Sequence, residues 1–206
     1  SQGKASIDIN WRPSSNLKYP EGKLDGNNNN FDFGLTIGLG DKFGFQWQNQ
    51  TAKSKNYSGT ITDGGNVLTG SANTKLTANQ FNILYSLDKS VVAFVGYTQA
   101  KNEIDLRGTY NGNPFSGTIA GKTVNGWQAG FAGSFPLGDK FFGYGSVGFG
   151  NKITSFEIGI TYEFSKNAEL NLFYKSTEYK DLQFKGEPDK YDLKVDGPGI
   201  GLTFKF

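Results

Sequence analysis

The chain contains no cysteine, no histidine and no methionine in its 206 residues. Without cysteine there is neither a disulfide framework nor a thiolate metal site. Without histidine the commonest general base and the commonest neutral metal ligand are missing. An excess of one charge is missing too: 21 basic residues stand against 19 acidic ones, a formal net charge of +2. A nucleic-acid binder usually carries a basic stripe, so no nucleic-acid partner is expected. No run approaches the roughly 18 apolar residues of a transmembrane helix. The mean hydropathy of −0.48 would by itself place the chain in water. That average is blind to a β-barrel wall, where lipid-facing and lumen-facing residues alternate and cancel.

What is present is glycine, 29 residues or about twice the ordinary share, and aromatic side chains at 15%. The aromatics fall into period-two patterns, which argue strand over helix. Ala5, Ile7, Ile9 and Trp11 alternate with polar residues, as do Phe31, Phe33, Leu35, Ile37 and Leu39. Phe43–Trp47, Phe81–Leu87, Trp127–Phe135, Phe156–Phe164, Leu170–Tyr174 and Ile200–Phe206 repeat the pattern. Between Val91 and Arg107 the apolar set is read on the even positions, Val92, Phe94, Gly96 and onward, because Lys101, Glu103, Asp105 and Arg107 are all odd. The Gly-rich stretch Phe141–Phe149 adds a strand of open face. Ten strands are expected, with eight as the alternative, in one domain over 1–206.

The links carry an independent signal. Gly40–Lys42, Asp88–Ser90, Pro136–Lys140 and Ser165–Ala168 are short and polar, whereas Pro13–Asn30, Ala52–Ala78, Gly108–Lys122 and Thr177–Pro198 are long. Short and long links alternate along nearly the whole chain. That is the asymmetry of a transmembrane barrel with short periplasmic turns and long outer loops. The face opposite the aromatics is mostly Gly, Thr, Gln and Asn, unlike the dense Lys/Glu mixture of a solvated surface. The fold class expected is all-β: an antiparallel up-and-down transmembrane β-barrel with its apolar face toward lipid. A soluble lipocalin-like carrier, apolar inside, is the weaker alternative.

The segment Gly199–Phe206 alternates apolar residues and finishes on an aromatic. It resembles the last strand of bacterial outer-membrane β-barrels. In pattern the whole chain is similar to the small OmpA-, OmpX- and opacity-like group, and in strand number to omptin proteases and ten-stranded adhesins. The resemblance implies residence in the bacterial outer membrane among its lipids. It also implies recognition by the barrel-assembly machinery through Phe204 and Phe206. Omptin proteases use a catalytic histidine, which this chain lacks, so no enzymatic activity, cofactor or metal is expected.

Other motif matches fail on context. Gly143–Gly148 fits GxGxxG but lies within an expected strand with no helix to follow. Asp25, Asn27 and Asn29 mimic the start of a calcium loop, but Asn30 stands where its glycine is needed. The residues left to consider are charges on the inner face: Lys4, Asp8, Arg12, Asp32, Lys101, Glu103, Glu157, Glu163 and Lys205. Their signs are mixed, which favours a paired, narrow interior over a charge-selective pore. On the loops, Tyr19, Tyr57, Tyr110, Phe115 and Tyr191 are the candidate contacts for a host or cell-surface ligand. The function expected is loop-borne adhesion or a structural membrane role. A small passive porin-like channel is the alternative.

Overall fold

The computed structural model describes residues 3–206. They form fourteen strands: β1 (Ala5–Arg12), β2 (Asn16–Tyr19), β3 (Gly22–Asp25), β4 (Asn30–Gly40), β5 (Phe43–Lys53), β6 (Tyr57–Asp63), β7 (Asn66–Ser86), β8 (Val91–Tyr110), β9 (Asn113–Ile119), β10 (Val124–Pro136), β11 (Phe141–Gly150), β12 (Ile153–Ser165), β13 (Ala168–Leu182) and β14 (Tyr191–Lys205). Ten of these, β1, β4, β5, β7, β8 and β10 to β14, make an antiparallel wall. It closes where β1 pairs with β14, with Ile9 opposite Leu202 and Asp8 opposite Thr203. Closure leaves no free edge in the wall, which a bilayer requires because no water is there to satisfy one.

The turns at one end are tight. Gly40 and Asp41 take positive φ of 111° and 48° to reverse β4 into β5. Asp88 caps the β7–β8 turn, its Oδ1 accepting from the backbone N–H groups of Ser90 and Val91 at 2.6 and 2.9 Å. Such local carboxylate bonds are what Asp contributes to turns.

The wall's exterior is apolar. Phe131 is 50% exposed and Ile158 62%, and with Val95, Val147, Ile160 and Leu172 they belong to one band of exposed apolar side chains around the wall, a larger contiguous patch than a water-facing surface carries. Phe156 to Phe164, at about 3.3 Å per residue and tilted by roughly 40°, covers about 20 Å of bilayer. Aromatic pairs mark the short-turn rim of this band: Phe43 with Tyr85, centroids 5.1 Å apart, and Phe141 with Tyr162 at 4.9 Å. Trp11 beside Phe31 and Trp127 beside Tyr97 mark the other rim. The arrangement is the reverse of a soluble carrier.

Two sequence expectations change. On β8 the exposed residues are odd, Val95 and Tyr97, while Thr98, Ala100 and Asn102 are buried inside. The parity is set by the register Phe81 to Tyr97 and Ile83 to Val95, which aligns two lipid-facing rows. The even positions look apolar only because Val92 and Phe94 lie in the lumen. The long links are also largely strand. β7 and β8 pair from Ser86–Val92 up to Leu68–Tyr110, well beyond the point where β5 and β10 stop pairing with them. There β6 and β9 take over as outer partners. The result is a four-stranded blade, β6-β7-β8-β9, rising from the wall on the long-loop side.

Candidate functional sites: the lumen and the blade

The lumen is filled in three layers. At the short-turn end a cavity of about 430 Å³ is lined by groups that include Leu84, Ser90, Phe94 and Ser134. Its deeper wall is polar. Gln128 donates to Gln80 Oε1 at 2.9 Å and to Asn82 Oδ1 at 2.7 Å, and Asn82 donates to Gln46 Oε1 at 3.1 Å. On the opposite wall Thr161 donates to Asn171 Oδ1, Asn171 to Thr203 Oγ1, and Thr203 to Asp8 Oδ1. Glycines face inward where a neighbour's side chain needs the space. A Cβ on Gly159 would meet the Tyr144 ring at 2.6 Å, and one on Gly199 the Phe173 ring at 2.2 Å.

The third layer closes the other end. Leu17, Leu76, Ile153, Leu182, Leu193 and Val195 are all within 1% of full burial and form one apolar cluster. Leu17 reaches it because β2 continues the line of β1 along β14, Leu17 opposite Val195. Burying each of these large side chains contributes about 1.5–3 kcal/mol, so the seal is a core in its own right. Above it Asn102 donates to the hydroxyls of Tyr19 at 2.9 Å and Tyr191 at 2.8 Å and accepts from Thr74 at 2.7 Å. Desolvation pushes the Tyr191 phenol up to about 12 and raises that of Tyr19. Both stay protonated in neutral water, so the clamp does not titrate there.

The charged candidates separate into groups. Asp8, Asp32 and Glu157 line the cavity. Arg12, 1% exposed, lies 3.4 Å from Asp32 Oδ2 and donates to the Lys175 carbonyl. Lys205 and Glu163 sit at the short-turn rim 4.0 Å apart, with Lys205 bonded to Glu169. Lys4 is exposed at the same rim. Lys101 and Glu103 are corrected: they pair with each other at 2.6 Å on the outer face of β8, beyond the lipid-facing Tyr97, and do not line the lumen. Their odd parity put them there once Val95 and Tyr97 faced lipid.

The aromatic candidates separate too. Tyr19 and Tyr191 are corrected: they point inward, 5.7 Å apart between ring centroids, and are held by Asn102 rather than offered to a ligand. Tyr57, Tyr110 and Phe115 are exposed on the blade. Phe204 faces outward on β14 opposite Ile7, and Phe206 closes the β1 ladder through Ala5. The amide network and the Asn102 clamp escaped sequence reading. Only the Gln and Asn on the inner face hinted at them.

The blade has two unlike faces, because cross-strand partners share a face. One face stacks Tyr57, Ala72 and Leu106, then Gly59, Gly70, Gly108 and Phe115, then Ile61, Leu68 and Tyr110. The other carries Ser58, Ser71, Arg107 and Ser116, then Thr60, Thr69 and Thr109, with Thr60 and Thr69 hydroxyls 3.2 Å apart. The apolar face continues the lumen side of β7.

A closed ten-stranded barrel with a lipid-facing exterior and a polar lumen is the fold of bacterial outer-membrane β-barrels, and the chain is one by fold. No family model matches it, and no curated protein does. Solved structures do. The outer membrane protease OmpT of Escherichia coli matches with a TM-score of 0.56 at 15% identity, over 100% of this chain and 98% of that one. The translocator domain of the autotransporter NalP from Neisseria meningitidis matches at 0.54 and 12%, over 100% and 89%. The attachment invasion locus protein Ail of Yersinia pestis, in complex with the heparin analogue sucrose octasulfate, matches at 0.50 and 10%, over the whole of both chains. At these identities the likeness is one of fold.

Proposed function

We propose that this barrel is a non-enzymatic surface-binding protein of the outer membrane whose recognition element is the blade. One observation carries the reading: an apolar sheet face, with Tyr57, Ile61, Tyr110 and Phe115 exposed, stands beyond the membrane band on β6, β9 and the ends of β7 and β8 that run past the closed wall. Exposed aromatic and aliphatic clusters of this kind are characteristic of interaction surfaces. The sealed mouth favours binding over conduction, and the absence of histidine removes the base of an omptin-like protease. Fold neighbours span attachment and proteolysis, and this site chemistry sides with the former. The partner class is a macromolecular surface on another cell, with apolar groups to match.

The test excises residues 57–71 and 107–119, replacing each with a short turn. Bacteria displaying the trimmed barrel should lose attachment to host-cell or matrix-coated surfaces while the barrel keeps heat-modifiable gel mobility. Unchanged attachment would remove the blade from the function. A passive channel is the second reading, favoured by the polar cavity. Steady single-channel openings of the intact protein would support it, and silence would support the sealed barrel.

A further inference from the structure

Asp32 on β4 and Gln50 on β5 stand directly opposite each other. Both are 3% exposed and both line the lumen cavity. Each is half satisfied. Asp32 Oδ2 accepts from Arg12 and Gln50 Oε1 accepts from the Tyr179 hydroxyl. Asp32 Oδ1 and Gln50 Nε2 have no partner among the described residues. Buried polar atoms are rarely left so. Neither atom has accessible surface as the side chains stand. Turning the Gln50 amide toward the cavity would present a donor and the Asp32 acceptor to one hydroxyl, which gives its proton to the carboxylate and takes a bond from the amide.

The surroundings extend the same chemistry. Gln48 and Asn10 line the cavity with amides free to donate and accept. They stand beside Gln46, Gln80 and Asn82, which are bonded to one another directly or through Gln128, and the Phe94 and Tyr144 rings supply flat apolar walls. Cavity charges are of both signs, Asp8 and Glu157 against Lys175, so the lining does not select an ion by sign. The volume of about 430 Å³ lies within the range of small-molecule sites. The lining runs down to Lys89 and Ser90 in the β7–β8 turn, while the apolar seal closes the opposite end.

We infer that the barrel interior is a binding site for a small neutral polyhydroxylated solute of mono- to disaccharide size. The solute enters from the short-turn, periplasmic end, and Asp32 and Gln50 together read one of its hydroxyls. The site is separate from the blade and stands or falls independently of it.

The test is equilibrium titration of the full chain in a zwitterionic, sugar-free detergent, by calorimetry and saturation-transfer NMR. Glucose and sucrose are the probes, with spermidine and inorganic phosphate as charged controls. At least one sugar should bind saturably and neither control should. Gln50→Leu should weaken binding at least tenfold. Ser146→Phe, which fills the cavity while leaving the amide network alone, should abolish it. Heat-modifiable mobility reports that each variant is folded, and if Gln50→Leu fails that check, Ser146→Phe decides alone. Absence of sugar binding to the parent protein, equal binding by Ser146→Phe, or preference for spermidine or phosphate would each overturn the inference.

Discussion

The ring of Phe115 lies against Gly108 across the β8–β9 pair, so close that a Cβ on Gly108 would come within 2.9 Å of its Cε1. The same Cβ would also sit 2.3 Å from the Thr69 carbonyl oxygen. Gly108 therefore sets how closely β7, β8 and β9 pack in the blade. Gly108→Val should loosen the blade by about 1–3 kcal/mol, the usual cost of overpacking. Gly117→Ala is the control, since nothing among the described residues lies within 4 Å of a Cβ there. Hydrogen exchange over 113–119 should accelerate in the first variant and stay unchanged in the second, with the barrel wall unaffected in both. Equal effects would mean the close approach carries no strain.

Asn102 joins β8 to the Tyr19 and Tyr191 hydroxyls and to Thr74, above the apolar seal. Asn102→Leu would leave the Tyr191 hydroxyl unpaired, at about 1–3 kcal/mol, while the Tyr19 and Thr74 hydroxyls keep the bond between them. The mouth should open before the wall unfolds. The measurement is single-channel conductance: brief openings absent from the parent protein should appear. A silent variant of unchanged thermal stability would show that water replaces the amide at no cost.

How far the chain could be read from its residues follows from where each surface lies. Lipid imposes one rule on one face, and Phe156 to Phe164 or Trp127 to Phe135 obey it strictly, so the wall was legible. β8 was misread because Val92 and Phe94 are lumen residues, and because its odd charges lie past the bilayer where the rule lapses. The blade left no clear period. Its Thr and Ser rows face water on one side, and its apolar face is broken by Gly59, Gly70 and Gly108. Tyr19 and Tyr191 read as loop contacts because their partner Asn102 is more than eighty residues away in the chain. The Asp32–Gln50 pair needed the register of β4 against β5, which alternation narrows to a parity but does not fix.

Lys152 bonds to Asp181 between the β11–β12 turn and the end of β13, outside the membrane band. That hydrogen bond holds the Asp181 carboxyl below the ordinary carboxylate range. A depressed folded pKa contributes stability above the unfolded value of about 4, and the contribution is lost as pH falls through the folded value. The pair is partly exposed, so its contribution is at most about 1 kcal/mol. Lys152→Met should return the Asp181 titration, followed by carboxyl-carbon NMR, to the ordinary range. It should also remove the acid-dependent loosening of this turn. An unmoved titration would show that the ion pair does not form in solution.

Ile158 on β12 and Ile61 on β6 are almost equally exposed, at 62% and 65%, yet they face different solvents. Ile158 lies in the middle of the apolar band, flanked on its strand by Phe156 and Ile160, and its neighbours across β11 and β13 are Gly145 and Tyr174. Ile61 pairs with Leu68 on the blade, beyond the wall. Accessibility alone would rate arginine equally tolerable at both. A bilayer does not: Arg at the midplane of an outer-membrane barrel costs about 2–4 kcal/mol, whereas a water-facing surface position usually stays within about 0.5 kcal/mol. Ile158→Arg should therefore lower folding stability in lipid vesicles by that larger amount, and Ile61→Arg should leave it unchanged while weakening attachment. The comparison is made by urea titration of the two variants in the same vesicles. Equal stabilities would place Ile158 in water and remove the lipid-facing assignment of β12, and with it the orientation of every strand registered against it.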